Sequence, residues 1–593
     1  MKRGLIASAV AILFVAALFA AVPLLVSTDI ARDRIAAILS QWLGANVVVG
    51  GEPQLMLVPK LHVVLPDVRT ENSALGLTAT IDGIEADLDL VALLQGRIEP
   101  TRFTLRRPLV QISAQSVART FAFPAAGDAA AGELRPAGAA RMLTVHDGVL
   151  TLTRDDGPAQ HFDGINAALS WPGSTGAASL SGAMRWRQQD IELRASLTDA
   201  ASLVGDGAGS FNLTLASSAL RASFAGTVSG GATVQADGAL SVTAPNLRRV
   251  LAWAGQDLGD GATLGAFSIE GAARVGNGGL VLSPAALELD GNEAEGAIAL
   301  TWNGDVPSVK GTLASETIDL TGYVSELMRA TSDLGPDAIA LSPRALSAAD
   351  VDLQISAQRI HIGETRIGQT AVSLLVQDGN MAMEVGEAMV YGGHVTARLS
   401  AKAQSRSSGS GSSLAVHLET KAKGLVLGAL PLADWPVRPT AGAADISLNA
   451  GGAGATLAEL LATLGGDIRV TATDPVLTGM DLANVIETFA GGDPAKSNGS
   501  TVFTTAAAAG TIDSGVLSVT GLSAEGPTAL VSASGRASLE DFSISMNGVA
   551  SRPSTGDTPG TELPFLIRGP LSAPQFLPDL NKLIDTATPS LAN

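Results

Sequence analysis

Apolar and polar residues alternate with a period of two along most of this chain. The segments Leu61–Leu65, Ile84–Leu90 and Phe211–Leu215 each place apolar side chains at about every second position. This period is typical of a β-strand that buries one face and exposes the other. Segments of this kind recur over several hundred residues, so the pattern predicts a mainly β protein.

Helical spacing is confined to a few short segments. Asp29–Leu43 predicts an amphipathic helix, because polar residues precede it as caps and Gly44 follows it. Three more short helices are predicted over Leu247–Trp253, Leu457–Leu464 and Leu482–Phe489.

Asp-Gly and Asn-Gly pairs separate many of the alternating runs. Such pairs tolerate positive φ at both positions and are the strongest short-range hairpin signal in a sequence. Glycines 182, 226, 271 and 311 also recur roughly every 40 to 45 residues, which suggests a repeated strand-turn-strand unit; the alternative is that glycine punctuates any β-rich chain. Hairpin turns are predicted at residues 147–148, 163–164, 237–238, 290–291, 303–304 and 378–379.

The first 26 residues contain a long uncharged segment. Lys2 and Arg3 precede an apolar run over residues 4–26, and about 23 residues at ~1.5 Å of rise suffice to cross a bilayer as a helix. The two positive charges predict a cytoplasmic amino terminus, with the rest of the chain on the far side. A cleaved signal peptide is the alternative, but its apolar core would span about 7–15 residues and end at an A-x-A-like site. No such site lies between Leu18 and Ala31.

Composition narrows the class of protein further. The chain has 38 basic and 57 acidic residues, for a net charge of −19, and this balance argues against a nucleic-acid partner. It has no cysteine, which excludes disulfides and thiol chemistry and suits a bacterial envelope. With 66 glycines, 4% aromatic and only 16% charged residues, it is a turn-rich β chain with much apolar surface.

The sequence contains no recognisable catalytic or metal-binding arrangement. Its six histidines are dispersed without a paired spacing, no lysine follows a glycine as in a phosphate-binding loop, and no G-x-S-x-G segment occurs. Acidic pairs such as Asp155-Asp156 fall where hairpin tips are expected and read as solvated turn residues. We therefore predict no catalytic residue, no cofactor and no metal, and we expect a protein that is not an enzyme. An exported hydrolase would need three titratable groups that converge in one pocket.

Ordered motifs occur at both ends and in the middle of the chain. They are Trp42–Gly51, Pro59–Val63, Leu65–Val68, Ile84–Leu90, Leu93–Ile98, Leu105–Val110, Ala244–Trp253, Leu287–Gly291, Leu457–Gly466, Leu477–Leu482 and Phe565–Pro574. Together they resemble the AsmA family of envelope proteins. Each motif alone is built from common residues, and the specificity comes from their order behind a membrane anchor. The resemblance covers nearly the whole chain.

The resemblance implies an architecture like that of the chorein-type bridge-like lipid-transfer proteins. We expect an N-terminal transmembrane helix, then an elongated, twisted, mostly antiparallel β-sheet curled into a groove, with a few short helices. The expected domains are an anchor over 1–27, an amino-terminal AsmA-like (chorein-like) segment over 28–123, a central repetitive sheet over 140–425 and a carboxy-terminal AsmA-like domain over 440–593.

The implied function is outer-membrane homeostasis, with phospholipids bound or conducted along an apolar groove between the membranes. The expected partners are the inner membrane, through residues 4–26, phospholipids and other envelope proteins, and the bulk of the chain is expected in the periplasm. The alternative is a non-enzymatic scaffold that modulates outer-membrane protein assembly by pairing its sheet edge with client strands. Period-2 patterning does not separate an open groove from a closed sandwich core. The groove-lining candidates, each of which ordinary core packing would also explain, are Val63, Leu65, Leu88, Leu90, Leu213 and Leu215.

Overall fold

The structure is a computed structural model, and it describes most of the chain from residue 28 onward. The predicted anchor over residues 4–26 and the predicted domain over 1–27 lie outside the described residues. None of the helices in the described ranges is long and apolar enough to cross a membrane. The described residues are 28–579 and 582, apart from 44–45, 57–59, 72–77, 96, 114–140, 155–156, 172–176, 200–206, 231–233, 257–260, 277, 303–305, 336–338, 342, 406–411, 433–434, 490–498, 540 and 554–561.

The chain forms two compact units. The first comprises the described residues up to 290 without 261–263, and the second comprises 261–263 and the described residues from 291 onward. Together they contain 31 described strands and a few short helices, which confirms the prediction of a mainly β protein.

The first unit contains fourteen strands and three helices in its described residues. The helices are α1 (Thr28–Leu43), α2 (Leu90–Leu94) and α3 (Leu247–Ala254). The strands are β1 (Asn46–Val49), β2 (Gln54–Met56), β3 (His62–Glu71), β4 (Thr78–Leu88), β5 (Pro100–Ser113), β6 (Met142–Arg154), β7 (Gly157–Ser170), β8 (Ala178–Trp186), β9 (Gln189–Leu197), β10 (Ala208–Ser217), β11 (Arg221–Ser229), β12 (Gln235–Ala244), β13 (Phe267–Gly276) and β14 (Gly279–Leu289).

The strand order of the first unit follows the chain. The short strands β1 and β2 both pair with β3, and from β3 to β14 each strand pairs with the next. Every pair is antiparallel except β5 with β6, which run parallel. A parallel pair needs a crossover connection, and the chain between these two strands is correspondingly long.

The second unit contains seventeen strands and three helices in its described residues. The helices are α4 (Thr321–Leu334), α5 (Leu457–Ala462) and α6 (Leu482–Phe489), and 3₁₀ turns occupy Pro343–Ser347 and Leu427–Ala429. The strands are β15 (Asn292–Thr301), β16 (Ser308–Asp319), β17 (Asp350–Ile362), β18 (Thr365–Ile367), β19 (Thr370–Gln377), β20 (Asn380–Val390), β21 (Gly393–Ser405), β22 (Ser412–Val426), β23 (Arg438–Gly454), β24 (Gly465–Thr478), β25 (Ser500–Val502), β26 (Thr505–Asp513), β27 (Val516–Glu525), β28 (Leu530–Ser538), β29 (Ser543–Ser551), β30 (Glu562–Pro570) and β31 (Gln575–Pro578).

The second unit also pairs its strands in chain order. The strands β16 and β17 are parallel and are joined through α4, whereas the other pairs are antiparallel. The strands β18 and β19 share β17 as a neighbour, and β25 and β26 share β24. The prediction of mostly antiparallel pairing is confirmed, and the two parallel pairs make the strand pairing mixed.

The predicted short helices are present with small changes at their ends. Helix α3 begins after Asn246, whose side-chain oxygen accepts a hydrogen bond from the Arg249 N–H at 2.9 Å, and it ends at Gly255 with φ 100°. Helix α5 ends at Ala462, two residues before the predicted end, and α6 has the predicted bounds. Caps visible in the sequence therefore locate these helices.

The predicted strand over Ile84–Leu90 is wrong at its carboxyl end. Strand β4 ends at Leu88, and the Asp89 side chain accepts hydrogen bonds from the N–H groups of Val91 and Ala92 at 2.8 and 3.2 Å. Asp89 thus caps α2, and Leu90 becomes the first residue of that helix instead of a strand position.

The predicted Asp-Gly hairpins divide into turns and strand interiors. Asp378-Gly379 joins β19 to β20 with φ of 51° and 73°, as a type I′ turn requires, and Asp290-Gly291 has φ of 52° and 79°. The pairs at 147–148, 163–164 and 237–238 instead lie inside β6, β7 and β12, and residues 303–304 lie outside the described residues. At 147–148 and 163–164 the register shifts, so these residues form bulges.

The recurring glycines also lie within strands. Gly226 pairs with Gly238, and a Cβ on Gly226 would lie 2.2 Å from the Asp237 carbonyl oxygen. A Cβ on Gly271 would lie 2.4 Å from the Pro284 carbonyl oxygen. These two positions need glycine because a neighbouring backbone approaches closely, so no turn of a repeating unit is required there.

Candidate apolar ligand site

The predicted groove residues lie in three different environments in the first unit. Val63 and Leu65 are fully buried on β3, and Leu88 is buried at the end of β4. All three belong to one hydrophobic cluster, which α1 covers with its buried Ile35 and Leu39. This part of the sheet therefore has a filled, closed core.

Leu90 lies outside that core. It is 38% exposed as the first residue of α2, where the helix cap formed by Asp89 places it. The structure therefore does not bring Leu90 together with Leu88, although the two are only two residues apart.

Leu213 and Leu215 lie side by side on one face of β10. Both are half-buried, whereas Thr214 between them is exposed. Leu213 pairs with Phe224 on β11 and packs against a small cluster of buried residues, namely Phe224, Ala273, Leu282 and Ala285. The apolar face of these strands is therefore only partly covered, in contrast to the face beneath α1.

An apolar cavity lies near the carboxyl end, in the second unit. Its volume is about 550 Å³, which is within the 300–1,000 Å³ typical of small-molecule sites. Strands β23 to β31 and helix α6 contribute to its walls. The lining residues are Leu427, Trp435, Val437, Pro439, Val470, Ala472, Pro475, Leu477, Met480, Leu482, Val485, Thr501, Phe503, Ala506, Ala507, Ala508, Leu522, Ala524, Val531, Ala533, Ile544, Met546, Leu563, Phe565, Ile567, Pro574, Phe576, Leu577 and Pro578.

Small side chains on adjacent strands create this space. Ala472 on β24 pairs with Ala506 on β26, which in turn pairs with Ala524 on β27. Ala508 and Ala533 add two more alanines to the same wall. Because inward positions that would hold leucine or phenylalanine in a filled core hold methyl groups here, the strands enclose volume instead of filling it.

Helix α6 covers part of the cavity with its apolar side. Ile486 is fully buried, and Leu482 and Val485 contact the cavity. The Asp481 side chain caps the helix by accepting a hydrogen bond from the Asn484 N–H at 3.1 Å. On the outer side of the helix, Glu487 forms an ion pair of 3.1 Å with Arg552.

Thr501 and Trp435 carry the polar side-chain groups among the described lining residues. The Thr501 hydroxyl donates to the Met480 carbonyl oxygen at 2.9 Å and accepts from the Leu482 N–H at 3.0 Å, so its proton is already used inside the protein. The indole N–H of Trp435 is a hydrogen-bond donor. None of the described lining residues has an ionisable side chain, so the lining side chains offer no charge.

Polar chemistry elsewhere in the described chain does not converge on this cavity. Within those residues, no group of three or more histidine, aspartate or glutamate side chains could hold a metal ion. Thr321 hydrogen-bonds Asp319 at the start of α4 and lowers the pKa of that carboxyl, and Ser543 does the same for Asp541 in the turn before β29. Both carboxylates are fully exposed and serve local structure.

The cavity walls can bind hydrocarbon and little else. Burial of apolar surface contributes about 25 cal/mol per Å², or about 0.8 kcal/mol for each methylene group. The sequence reasoning placed its groove candidates at leucines and valines and missed this cavity. The available signal was the run of four alanines over residues 506–509 on β26, which leaves this part of the strand without large side chains on either face.

A comparison with known families gives one match. The model of the AsmA family matches residues 338–522, a range that includes part of the cavity wall, and the predicted resemblance to this family is confirmed. Neither a curated protein nor a solved structure matched the chain. The AsmA family is not known as an enzyme family, and the match indicates an envelope-related function.

Proposed function

We propose that this chain, a member of the AsmA family, binds the hydrocarbon chains of phospholipids and acts in the lipid homeostasis of the bacterial envelope. The observation that carries the proposal is the 550 Å³ cavity with its almost wholly apolar lining. An acyl chain in this space would exchange water for aliphatic and aromatic contacts along its whole length, which is favourable without any specific polar contact.

A peptide ligand fits this cavity poorly. Each backbone amide that enters an apolar site without a partner costs about 1–3 kcal/mol, and Thr501 and Trp435 are the described lining residues with a side-chain N–H or O–H group. A saturated hydrocarbon chain has no such groups to satisfy. The chemistry of the lining therefore favours a lipid tail over a protein segment.

The described sheet edges also argue against a scaffold that captures client strands. In the described residues β31 pairs with β30 alone, but it has only four residues and ends on Pro578, which has no N–H to donate. At the other end, β1 and β2 have four and three residues. Short strands and proline are the usual protection of an edge against strand addition.

The proposed setting is the periplasmic side of the inner membrane. Residues 4–26 would anchor the chain there with a cytoplasmic amino terminus, as the run of apolar residues behind Lys2 and Arg3 supports. The phospholipids would then move along apolar faces of the sheet between the two membranes. Protease added to spheroplasts should degrade the folded units; complete protection would contradict this topology.

The binding proposal is tested with the full chain in vesicles that contain a phospholipid with a photoactivatable diazirine on one acyl chain. After illumination, peptides from β24, β26 and β27 should carry the label. Val470→Asp and Leu522→Asp each place a carboxylate in the cavity wall and should lower that labelling at least tenfold, because a charge disfavours hydrocarbon next to it.

Matched controls come from the next residue on each strand. Thr471→Asp and Ser523→Asp add the same charge to the exposed face and should leave the labelling unchanged. Circular dichroism verifies that all four variants fold. Equal labelling in the four variants, or no labelling of the parent protein in these strands, would overturn the proposal.

A further inference from the structure

A second apolar cavity lies in the same unit. Its volume is about 390 Å³, and its lining consists of leucine, isoleucine, valine and alanine side chains only. Strands β21 to β24, β26 and β27 contribute to it. Helix α5 adds Leu460, and Leu464 follows from the segment after that helix.

The two cavities lie on the same face of β24, β26 and β27, which are three of the four strands that they share. On β24, Ile468 lines the second cavity and Val470 the first, and on β26 Ile512 lines the second and Ala508 the first. In each strand the two residues differ by an even number, so their side chains project to the same side. On β27, Leu517 and Leu522 differ by five, but the register shifts between Val519 and Leu522 and restores the common face.

On β26, Gly510 lies between Ala508 of the first cavity and Ile512 of the second, and it is buried. A Cβ at this glycine would lie 2.8 Å from Leu517 Cδ1 and 3.5 Å from Ile468 Cγ2. The side chains of two walls of the second cavity thus close over a residue that has no side chain of its own.

Helix α5, which contributes Leu460 to the second cavity, is held in place by hydrogen bonds at both of its ends. The Glu459 side chain accepts a hydrogen bond from the Ala455 N–H at 2.8 Å, and the Thr456 hydroxyl accepts from the Glu459 N–H at 3.2 Å, which is a capping box for α5. The Thr463 hydroxyl accepts from the Ala453 N–H at 2.8 Å. These bonds hold Leu460 over the strands, so the cavity exists before any ligand enters.

We propose that the second cavity is a compartment for a second hydrocarbon chain, so that one two-chained lipid places one chain in each of the two cavities on this face of the strands. This inference rests on the proposed function. A purely aliphatic lining suits a flexible alkyl chain, and it has no polar side chain that could receive a head group or a peptide.

Two photoactivatable probes test the compartment in the full chain. They are palmitic acid with a diazirine at its terminal carbon and a dipalmitoyl phospholipid with a diazirine on one chain. Both probes should label two sets of peptides, one around Leu460 and Leu464 and one around Val470 and Leu522.

If a larger side chain fills the second cavity, the probes should label the residues around that cavity less and the residues around the first cavity as before. Ala450→Leu enlarges a buried wall residue of that cavity and should lower labelling around Leu460 at least fivefold, with labelling around Leu522 retained. Asn449→Leu adds the same side chain to the exposed face as the control. If Ala450→Leu does not fold, Leu448→Phe fills the same cavity from a half-buried position.

The outcomes separate this inference from the proposed function. Labelling around Leu522 alone in the parent protein, or an equal loss at both sites in Ala450→Leu, would overturn the second compartment and leave lipid binding intact. Labelling at neither site would overturn the proposed function itself.

Discussion

The core beneath α1 and the cavity beside α6 are made from the same alternating strands and differ in what the inward positions hold. Beneath α1, large side chains such as Leu65, Ile84 and Phe103 fill the space completely. Beside α6, alanines such as Ala506 and Ala524 face a helix of eight residues and leave about 550 Å³ unfilled. The volume of the inward residues, and not the period of the pattern, therefore separates a core from a binding site.

The largest effect is expected from a truncation in the filled core. Phe103→Ala should destabilise the sheet around β3 to β5 by about 3–5 kcal/mol, because it leaves a cavity that the surrounding strands cannot close. Hydrogen exchange of the β4 amides measures the local opening free energy. Leu109→Ala on the same strand is the control, since Leu109 is 51% exposed and its truncation should cost less than about 0.5 kcal/mol.

A smaller effect on stability is expected when the cavity is filled. Ala472→Leu should change the unfolding free energy by less than about 1.5 kcal/mol, because the added volume enters empty space, but it should lower lipid labelling severalfold. Thr473→Leu, on the exposed face of the same strand, should leave the labelling unchanged. A destabilisation as large as that of Phe103→Ala would mean that this region is packed like the core.

Helix α3 is held to β8 by aromatic side chains and has no filled core of described residues beneath it, so it lies between the filled core beneath α1 and the cavity beside α6 in its packing. Trp253 packs edge-to-face on Trp186 with 4.8 Å between ring centroids and donates its indole N–H to the Trp186 carbonyl oxygen at 3.2 Å. Arg187 lies over the Trp186 ring and donates to the Trp253 carbonyl oxygen at 2.7 Å.

Trp253→Ala should therefore increase hydrogen exchange in α3 by an amount equivalent to about 1–2 kcal/mol, from one aromatic pair and one hydrogen bond. Trp302→Ala is the control, because Trp302 is half exposed in the second unit. Unchanged exchange in α3 would show that backbone contacts alone hold this helix.

The smallest effect is expected at Asp319, which lies just before α4 and accepts a hydrogen bond from its first residue. Its carboxylate accepts a hydrogen bond from the Thr321 N–H at 2.8 Å, and bonding to Thr321 lowers the pKa of Asp319. A lowered pKa means that the carboxylate stabilises α4 above its unfolded-state pKa and that this stabilisation is lost as the pH falls through the folded-state pKa. Hydrogen exchange in α4 should rise with acidification below about pH 4 in the parent protein, and Asp319→Asn should remove this dependence.

The sequence predicted the elements that local chemistry decides. Asn246 and Gly255 bound α3 as caps should, and Asp378-Gly379 forms the hairpin turn that its composition favours. The alternating runs became strands because period-2 patterning is enforced wherever one face is apolar.

Non-local features could not be predicted. Asp237-Gly238 became a strand interior because Gly226 on the neighbouring strand lies against it, which no local rule contains. The parallel pairs β5 with β6 and β16 with β17 depend on the path of the connection between two consecutive strands, which local patterning does not determine. The candidate site depends on the combined volume of side chains from β23 to β31. The predicted Val63 and Leu65 instead pack beneath α1, and the alternating pattern of the strand does not show that a helix covers it.

The chain-ordered strand pairing keeps most contacts local along the chain. Most contacts within each unit join strands that are neighbours in sequence, so the loop-closure cost of each pairing is low. The parallel pairs β5 with β6 and β16 with β17 differ, because each needs a crossover connection. Each strand therefore finds its main partner in the strand made just before it, in the order in which a chain emerges during synthesis.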